Sequence, residues 1–280
     1  MSDRLRNGPP FKARKRFGQH FLEPAWVRKL VDAIKPESDE VFLEIGPGRG
    51  ALTLPLAERA RRVVGIEIDR DLARDLQARC PANVTVIAGD FLDMDLESLF
   101  RGVGSGPIRV AGNLPYNISS PVLFRLLQAS ATLPIRNAVL MLQKEVADRL
   151  VARVGSKEYG VLTVQVALRA DVDRLLVLPP GAFRPPPKVR SAVVSLAFRA
   201  SRVQLADPAL FDRLIRALFS QRRKTLLNAL RPFAAASHLP AQAALDRARL
   251  DGGRRPETLE LTELAALAEL FCSGTSPAML

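Results

Sequence analysis

The fold of this 280-residue chain is decided at residues 40–50, which read EVFLEIGPGRG. Residues 40–45 form an apolar run of strand length, and the glycine-rich turn after them leads into a helix predicted to extend to about Arg59. Glycines at such a turn let a ligand approach the backbone and the helix N-terminus. Because Gly46, Gly48 and Ala51 also satisfy the dinucleotide fingerprint G-x-G-x-x-[G/A], the loop alone leaves the nucleotide undecided.

The same strand-then-helix pattern continues along the chain. Further buried strands are predicted at 62–69, Val84–Ala88, 108–112 and 137–143. Two more strands, at Val161–Arg169 and 191–199, are predicted to form a hairpin. We therefore predict an α/β domain over 17–200 with a sheet of about seven strands, followed by a small all-helical domain over 201–272.

Acidic side chains follow two of the predicted strands. Glu67 lies about 20 residues after the glycine loop, where a carboxylate can accept both hydroxyls of a ribose. Asp90 follows the third strand and can accept the exocyclic amine of an adenine, with apolar neighbours against the ring. A turn residue is the alternative for Asp90. Asp69 is expected to cap the next helix.

The tetrapeptide Asn113-Leu114-Pro115-Tyr116 follows the fourth strand, at the sheet edge where α/β proteins bind ligands. The N6 amine of adenine is a poor nucleophile because its lone pair is delocalised into the ring. Two acceptors aimed at its N–H bonds, the Asn113 side-chain oxygen and the Leu114 carbonyl, favour a pyramidal nitrogen with an exposed lone pair. Pro115 holds the turn, and Tyr116 can stack on the base. Hydride transfer to or from a nicotinamide does not require this arrangement. The tetrapeptide therefore favours S-adenosylmethionine over NAD as the cofactor.

Charge points to a nucleic acid partner. The chain carries 41 Lys and Arg against 29 Asp and Glu, a formal net charge of +12. Between residues 181 and 255 there are fifteen basic residues and four acidic ones, so this region is predicted to face RNA. Residues 1–16 are predicted to be a flexible basic arm, and the tail over 273–280 to be loose. The proline-rich loop 183–189 is either a rigid connector or, with an exposed Phe183 and Lys188, a surface that stacks a base and holds a phosphate.

Several kinds of site and location are not expected from this sequence. Cys80 and Cys272, together with His20 and His238, lack the spacing of a metal site, so no metal is predicted. No apolar run approaches the ~20 residues of a membrane span, and a cytoplasmic protein is expected. Nothing in the sequence indicates an obligate dimer, so we predict a monomer.

A series of motifs in a fixed order carries a family resemblance. The motifs are FGQHFL at 17–22, LEIGPGRGALT at 43–53, EID at 67–69, GD at 89–90, NLPYNIS at 113–119, QKEVADRL at 143–150, FRPPPKV at 183–189 and FSQRRKTLLNAL at 219–230. Over about residues 14–270 the chain resembles the bacterial small-subunit type of ribosomal RNA adenine N6,N6-dimethyltransferases.

The resemblance implies a Rossmann-like class I methyltransferase fold with S-adenosyl-L-methionine as cofactor. It implies dimethylation of the N6 amines of two adjacent adenines near the 3′ end of 16S ribosomal RNA, in the assembling small subunit. The cofactor contacts that it indicates are His20, Leu22, Gly46, Gly48, Glu67, Ile68, Asp90, Phe91 and Asn113. The residues placed at the target adenine are Asn113, Leu114, Pro115 and Tyr116, with Phe183 as a second stacking platform. RNA contacts are predicted for Arg14, Lys15, Arg16, Lys188, Arg222, Arg223 and Lys224.

Two other functions share parts of this pattern. A resistance-type methyltransferase that modifies large-subunit RNA also carries the NLPY tetrapeptide. A ribosome assembly factor with the same fold but no catalytic turnover is a second alternative. The intact glycine loop, Glu67, Asp90 and NLPY argue against the assembly factor, and the loop at 183–189 with the segment at 219–230 favours the small subunit.

Overall fold

A computed structural model of the protein describes residues 20–103 and 106–272. The predicted basic arm over 1–16 and the tail over 273–280 therefore lie outside the described residues, as do Arg14, Lys15 and Arg16.

Strands and helices alternate through the first half of the described chain. The strands are β1 (Phe21–Leu22), β2 (Val41–Ile45), β3 (Arg62–Glu67), β4 (Val84–Ala88), β5 (Ile108–Asn113), β6 (Ile135–Gln143), β7 (Ala170–Leu178), β8 (Phe183–Arg184) and β9 (Ser191–Phe198). The helices are α1 (Pro24–Ile34), α2 (Thr53–Ala57), α3 (Arg70–Gln77), α4 (Leu96–Val103), α5 (Ser119–Ala129), α6 (Lys144–Leu150), α7 (Val161–Arg169), α8 (Pro208–Ser220), α9 (Leu226–Ala234), α10 (Ala241–Ala248) and α11 (Leu261–Glu269).

Seven strands form one sheet, which agrees with the predicted number of strands. Their order in the sheet is β4-β3-β2-β5-β6-β9-β7. The pairs β4–β3, β3–β2, β2–β5 and β5–β6 are all parallel, so their carboxyl ends meet at the same edge. The order of strands along the chain reverses between β2 and β5. A reversal of this kind opens a crevice at the carboxyl edge of an α/β sheet, which is where such folds bind ligands.

Helix α1 shows how the core of the sheet is covered. Its buried residues, Val27, Leu30, Val31 and Ile34, recur at three- and four-residue spacing and so form one apolar stripe that packs in the same cluster as β2. The helix begins at Pro24, which fits the first helical position, and ends before Lys35 in the left-handed conformation. The buried side chain of Arg109 on β5 donates to the Ile34 carbonyl at 2.6 Å. Carbonyls in the last turn of a helix have no hydrogen-bond partner within the helix, and Arg109 supplies one for Ile34.

The chain divides into two compact units, which differ from the predicted domains. The first, called here the sheet unit, comprises the residues up to Lys144 together with Arg174–Leu196. The second, the helical unit, comprises Glu145–Asp173 and the residues from Ala197 onward. The sequence placed one boundary near residue 200, but 145–173 belong with the helices.

The reason for this difference is the segment Val161–Arg169, which was predicted as a strand and is helix α7. Its β-branched composition fits a strand, but Val164 and Leu168, four residues apart, lie together in the apolar core of the helical unit. The strand of this region is β7, which follows directly and occupies the edge of the sheet. Most of β7 is exposed or half-buried, so it lacks the apolar run by which the inner strands were found.

The helical unit has an apolar core of its own. Helices α8 to α11 fall within the segment predicted to be all-helical. Asp207 caps α8 by accepting a hydrogen bond from the Leu210 backbone N–H at 2.9 Å. Phe211, Leu214 and Ile215 of α8 are fully buried in this core. Along the part of the chain that the structure describes, no helix is long and apolar enough to cross a membrane.

Candidate active site

The glycine loop after β2 forms one wall of a cavity at the carboxyl edge of the sheet. Gly46 and Gly48 have φ angles of +72° and +56°, in the left-handed region that glycine adopts without strain. The Gly46 N–H donates to the Ile66 carbonyl at 2.9 Å, which ties the loop to β3. The helix predicted after the loop is shorter than expected, since α2 spans only Thr53–Ala57.

Glu67, at the end of β3, is a buried carboxylate in the same cavity. One carboxylate oxygen accepts from the Gly48 N–H at 2.8 Å, and the other accepts from the Asp69 N–H at 3.0 Å. Burial raises the pKa of Glu67, while these two backbone hydrogen bonds lower it. Each oxygen keeps a lone pair, so the carboxylate can accept two further hydrogen bonds from the hydroxyls of a ribose.

Glu44 is a second buried acid at the site, and it was not predicted as a site residue. It lines the cavity from within β2 with only 2% of its surface exposed, and burial raises its pKa to about 8. The charge of Glu67 raises this pKa further, and the nearby Thr53 hydroxyl lowers it, although the geometry between the two falls short of a hydrogen bond. Among the described residues the Glu44 Oε2 atom has no hydrogen-bond partner. Glu44 is therefore a neutral acid at pH 7, and an acidic residue inside a fully buried strand was the signal for it.

The loop after β4 supplies the next part of the wall. Asp90 lines the cavity, and its carboxylate also accepts from the Leu92 N–H at 2.9 Å, so the residue holds a turn as well. Ile68 lines this cavity and keeps 43% of its surface exposed, so its apolar side chain is open to a ligand there. An exposed Ile beside an acceptor suits the flat face and the edge amine of an adenine.

Arg125 on α5 holds the loop that carries Phe91. The guanidinium of Arg125 donates to the carbonyls of Leu92 and Met94. The same group lies 5.9 Å from the centroid of the Phe91 ring, which is itself buried. Arg125 therefore fixes the position of the loop at the predicted adenine-binding end of the cavity.

The tetrapeptide that begins at the last residue of β5 lines the same cavity as the glycine loop. The Asn113 side-chain nitrogen donates to the His20 carbonyl at 3.0 Å. Because a carbonyl can only accept, this bond fixes the orientation of the amide and leaves the Asn113 Oδ1 atom as an acceptor. The Leu114 N–H donates to the Met141 carbonyl at 3.1 Å, and its side chain is buried, so the backbone here is held by β6.

The ring of Tyr116 is held by residues far away in the sequence. Its hydroxyl lies 2.6 Å from the Ser191 hydroxyl, and its ring stacks on the His20 ring with centroids 5.6 Å apart. The His20 Nδ1 atom donates to the Pro185 carbonyl at 2.8 Å. Burial raises the pKa of Tyr116, and the bond to Ser191 lowers it. The phenol is therefore neutral at pH 7, and its ring offers an aromatic surface to the cavity.

A two-stranded sheet joins the start of the described chain to the proline-rich loop. Strands β1 and β8 pair antiparallel, with Phe21 opposite Arg184 and Leu22 opposite Phe183. The guanidinium of Arg184 also pairs with the Glu23 carboxylate at 2.9 Å. The sequence did not predict this pairing, because two-residue strands have no periodicity to detect.

Among the described residues predicted to contact the cofactor or the target base, Phe183 alone does not line the cavity. It was predicted to be exposed, and this prediction is wrong: its side chain is fully buried in the apolar core of the sheet unit. Pairing with Leu22 turns the side chain into that core, where an aromatic ring buries a large apolar area. Lys188 is exposed on the same loop. In the helical unit, Arg222 is half-buried and Arg223 and Lys224 are exposed between α8 and α9.

All the predicted cofactor contacts line one cavity. They do so with the tetrapeptide residues: His20, Leu22, Gly46, Gly48, Glu67, Ile68, Asp90, Phe91, Asn113, Leu114, Pro115 and Tyr116. Within the described residues no cluster of three or more His, Cys, Asp or Glu side chains could hold a metal ion.

Comparison with known proteins identifies the family of this chain. The family model for ribosomal RNA adenine dimethylase matches residues 10–267. The chain belongs to the ribosomal RNA adenine dimethylase family. This confirms the resemblance drawn from the motifs.

Full-length relatives support the assignment to the ribosomal RNA adenine dimethylases. The chain is 45% identical over 277 residues to ribosomal RNA small subunit methyltransferase A of Geobacter sulfurreducens, covering 96% of this chain and 99% of that protein. It is 43% identical over 269 residues to the protein of the same name from Aromatoleum aromaticum. That match covers 95% of this chain and 96% of the relative.

Solved structures of two related enzymes share the fold of this chain. A dimethyladenosine transferase from Plasmodium falciparum superposes with a TM-score of 0.74 at 29% identity, over 89% of this chain and 96% of that one. The 23S rRNA methyltransferase ErmE superposes with a TM-score of 0.66 at 27% identity, over 90% and 99%. The predicted methyltransferase fold is thus confirmed.

Proposed function

We propose that this protein uses S-adenosylmethionine to dimethylate the N6 amines of two adjacent adenines near the 3′ end of 16S ribosomal RNA in the assembling small subunit. The observation that carries the proposal is the fixed Asn113 amide, whose Oδ1 atom is left as an acceptor at the cavity. An acceptor there suits an exocyclic amine. Relatives at 43–45% identity bear the name small subunit methyltransferase, whereas the 23S enzyme is 27% identical.

The residues at the cavity fit S-adenosylmethionine. When bound, this cofactor supplies an electrophilic methyl group on a positively charged sulfur. The Glu67 carboxylate would hold the ribose hydroxyls, and Asp90 would accept from the adenine amine beside Ile68 and Phe91. The open backbone at Gly46 and Gly48 allows close approach, since side chains are absent there.

Asn113, Leu114 and Tyr116 would act on the target base. The Asn113 Oδ1 atom and the Leu114 carbonyl would accept hydrogen bonds from the two N–H groups of the amine. These bonds would orient the nitrogen lone pair toward the methyl group. Because the N6 amine would not need to lose a proton before it reacts, the site would need acceptors and positioning more than a strong base. This agrees with the neutral phenol of Tyr116, which serves as a stacking surface.

Basic side chains would hold the RNA backbone. Lys188 of the sheet unit and Arg223 and Lys224 of the helical unit are exposed, and the whole chain carries a formal net charge of +12. Arg14, Lys15, Arg16 and Arg222 are proposed as further contacts. We expect a monomeric protein that acts in the cytoplasm, where ribosomal subunits assemble.

Labelled methyl transfer to unmodified small subunits tests the proposed function. Mass mapping of the product RNA should locate dimethylated adenines as an adjacent pair near the 3′ end of 16S RNA. Methylation of large-subunit RNA instead would favour the resistance-type alternative. Binding to small subunits with no methyl incorporation would favour a non-catalytic assembly factor.

A further inference from the structure

We propose that Ser191 is a positioning residue for the target base, because it fixes the orientation of the Tyr116 ring. The inference rests on the proposed role of Tyr116 as the surface on which the target adenine stacks. The two hydroxyl oxygens lie 2.6 Å apart, a normal distance for an O–H···O hydrogen bond. The residues are 75 positions apart in the sequence, so only the fold brings them together.

The position of Ser191 is fixed by the surrounding fold, so it does not depend on the position of the Tyr116 ring. It is the first residue of β9, its side chain is fully buried, and the three residues after it are fully buried as well. Just before it, the Arg190 carbonyl accepts from the Lys144 N–H at 2.9 Å, which fixes the start of β9. The serine hydroxyl is thus a rigid anchor, and a half-buried phenol that loses it keeps an unsatisfied polar group.

The ring is also held on its face, and this second contact comes from the same loop. The Pro185 carbonyl accepts from the His20 ring, and that ring stacks on Tyr116. Residues 183–191 therefore restrain Tyr116 twice, at the hydroxyl and through His20. With Phe183 buried, the proline-rich loop acts by orienting another aromatic ring and not by stacking on the base itself. Orientation of a stacking surface in advance is what a positioned reaction requires.

The role of Ser191 differs from that of the cofactor contacts. Ser191 is not among the residues that line the cavity, and its hydroxyl meets the site through the Tyr116 hydroxyl. Removal of the hydroxyl should therefore slow methyl transfer and leave cofactor affinity unchanged. This split separates a positioning role from a general loss of structure, which would lower both.

The test compares Ser191→Ala, Tyr116→Phe and the double variant, with Ser195→Ala on the same strand as the control. We expect Ser191→Ala to lower kcat on unmodified small subunits by between about three- and tenfold, the scale of one lost hydrogen bond. Tyr116→Phe should lower kcat equally, and the double variant should be no slower than either single one. The Kd for S-adenosylmethionine, measured by calorimetry, should stay at the wild-type value in all of them.

Two results would overturn the inference. One is wild-type kcat in Ser191→Ala or in Tyr116→Phe; the second of these variants leaves β9 untouched and so remains informative if Ser191→Ala folds poorly. The other is a double variant whose loss is the product of the two single losses. Tyr116→Ala tests the underlying proposal separately: full activity in that variant would remove the stacking role of Tyr116, whatever Ser191 does.

Discussion

At the scale of single residues, two buried acids on neighbouring strands differ in their hydrogen-bond partners. Glu67 accepts two backbone N–H bonds, which favour its charged form. Glu44 has no such partners at its Oε2 atom among the described residues, and burial raises its pKa to about 8. A protonated Glu44 avoids the repulsion that two neighbouring carboxylates, Glu44 and Glu67, would exert on each other.

Replacement of Glu44 by Gln should change how stability depends on pH. The folded pKa of about 8 lies above the ordinary value of 4.5, so the folded state holds a proton that the unfolded state loses. The free energy of unfolding of the wild type should fall as pH rises from about 4.5 to about 8. Glu44→Gln cannot lose this proton and should show a smaller fall.

Urea denaturation at pH 5 and at pH 8.5 measures this difference. The exposed Glu58→Gln is the control, and it should keep the wild-type pH dependence. An unchanged slope in Glu44→Gln would mean that Glu44 is ionised in the folded protein at neutral pH.

Replacement of Asn113 by Ala should remove most of the activity and little else. The change deletes the acceptor proposed for the target amine and the bond to the His20 carbonyl. We expect kcat to fall by about 100-fold, the usual cost of removing one group that is positioned for the transition state. Single-turnover methyl transfer and filter binding of small subunits would measure rate and affinity separately.

Gln128→Ala, on the exposed face of α5, is a matched amide deletion for this experiment. It should behave as the wild type in both assays. If Asn113→Ala retains full activity, the acceptor role assigned to its side chain is wrong.

At the scale of elements, β2 and β5 pair closely beside the cavity. The two strands are parallel neighbours at the point where strand order reverses, with Glu44 opposite Ala111. Gly112 lies beside the Ile45 backbone, and a Cβ atom there would come within 2.7 Å of the Ile45 carbonyl oxygen. Strand contact and the position of Asn113 therefore both depend on this glycine.

Replacement of Gly112 by Ala should destabilise the protein. The clash is with backbone, which cannot rotate away, so β2 and β5 must separate, at a cost of about 1–3 kcal/mol of unfolding free energy. Thermal and urea denaturation would measure it. Gly102→Ala on α4, where a Cβ atom meets nothing within 4 Å, is the control and should be neutral or slightly stabilising. Equal stability of the two variants would contradict the close approach.

At the scale of the whole molecule, charge is distributed unevenly along the chain. Fifteen basic and four acidic residues lie between 181 and 255, a stretch that contributes to both compact units. The segment of Arg222, Arg223 and Lys224 joins α8 to α9 and presents two exposed cations. Attraction of this kind for RNA is measured by its salt dependence.

Replacement of Arg222, Arg223 and Lys224 by Gln should weaken RNA binding and flatten its dependence on salt. Each lost phosphate contact should lower the slope of log Kd against log salt by about 0.7–0.9. Binding to unmodified small subunits across a salt series measures the slope.

An equal loss of charge elsewhere is the control for this experiment. Arg61, Arg74 and Arg79 are exposed in the sheet unit and can be changed to Gln together. That variant should keep a steeper slope than the first. If both variants flatten the slope equally, the effect comes from net charge and the segment has no specific contact with RNA.

The sequence by itself determined the parts of this protein that are local. The glycine loop, Glu67, Asp90 and Asn113 each lie at or just after the end of an apolar strand, and parallel pairing then brings those strand ends to one edge. The cavity could be anticipated because each of its walls is a short motif next to its own strand. The family resemblance rests on those same motifs.

The tertiary structure decided what depends on distant partners and on the loss of solvent. The apolar composition of Val161–Arg169 is compatible with a strand or a helix. Packing of Val164 and Leu168 in the core of the helical unit makes this segment helix α7. Phe183 is buried because β8 pairs with β1, and Ser191 meets Tyr116 across 75 residues. Glu44 keeps its proton because the folded sheet removes water from it, a free-energy cost that does not exist in the unfolded chain.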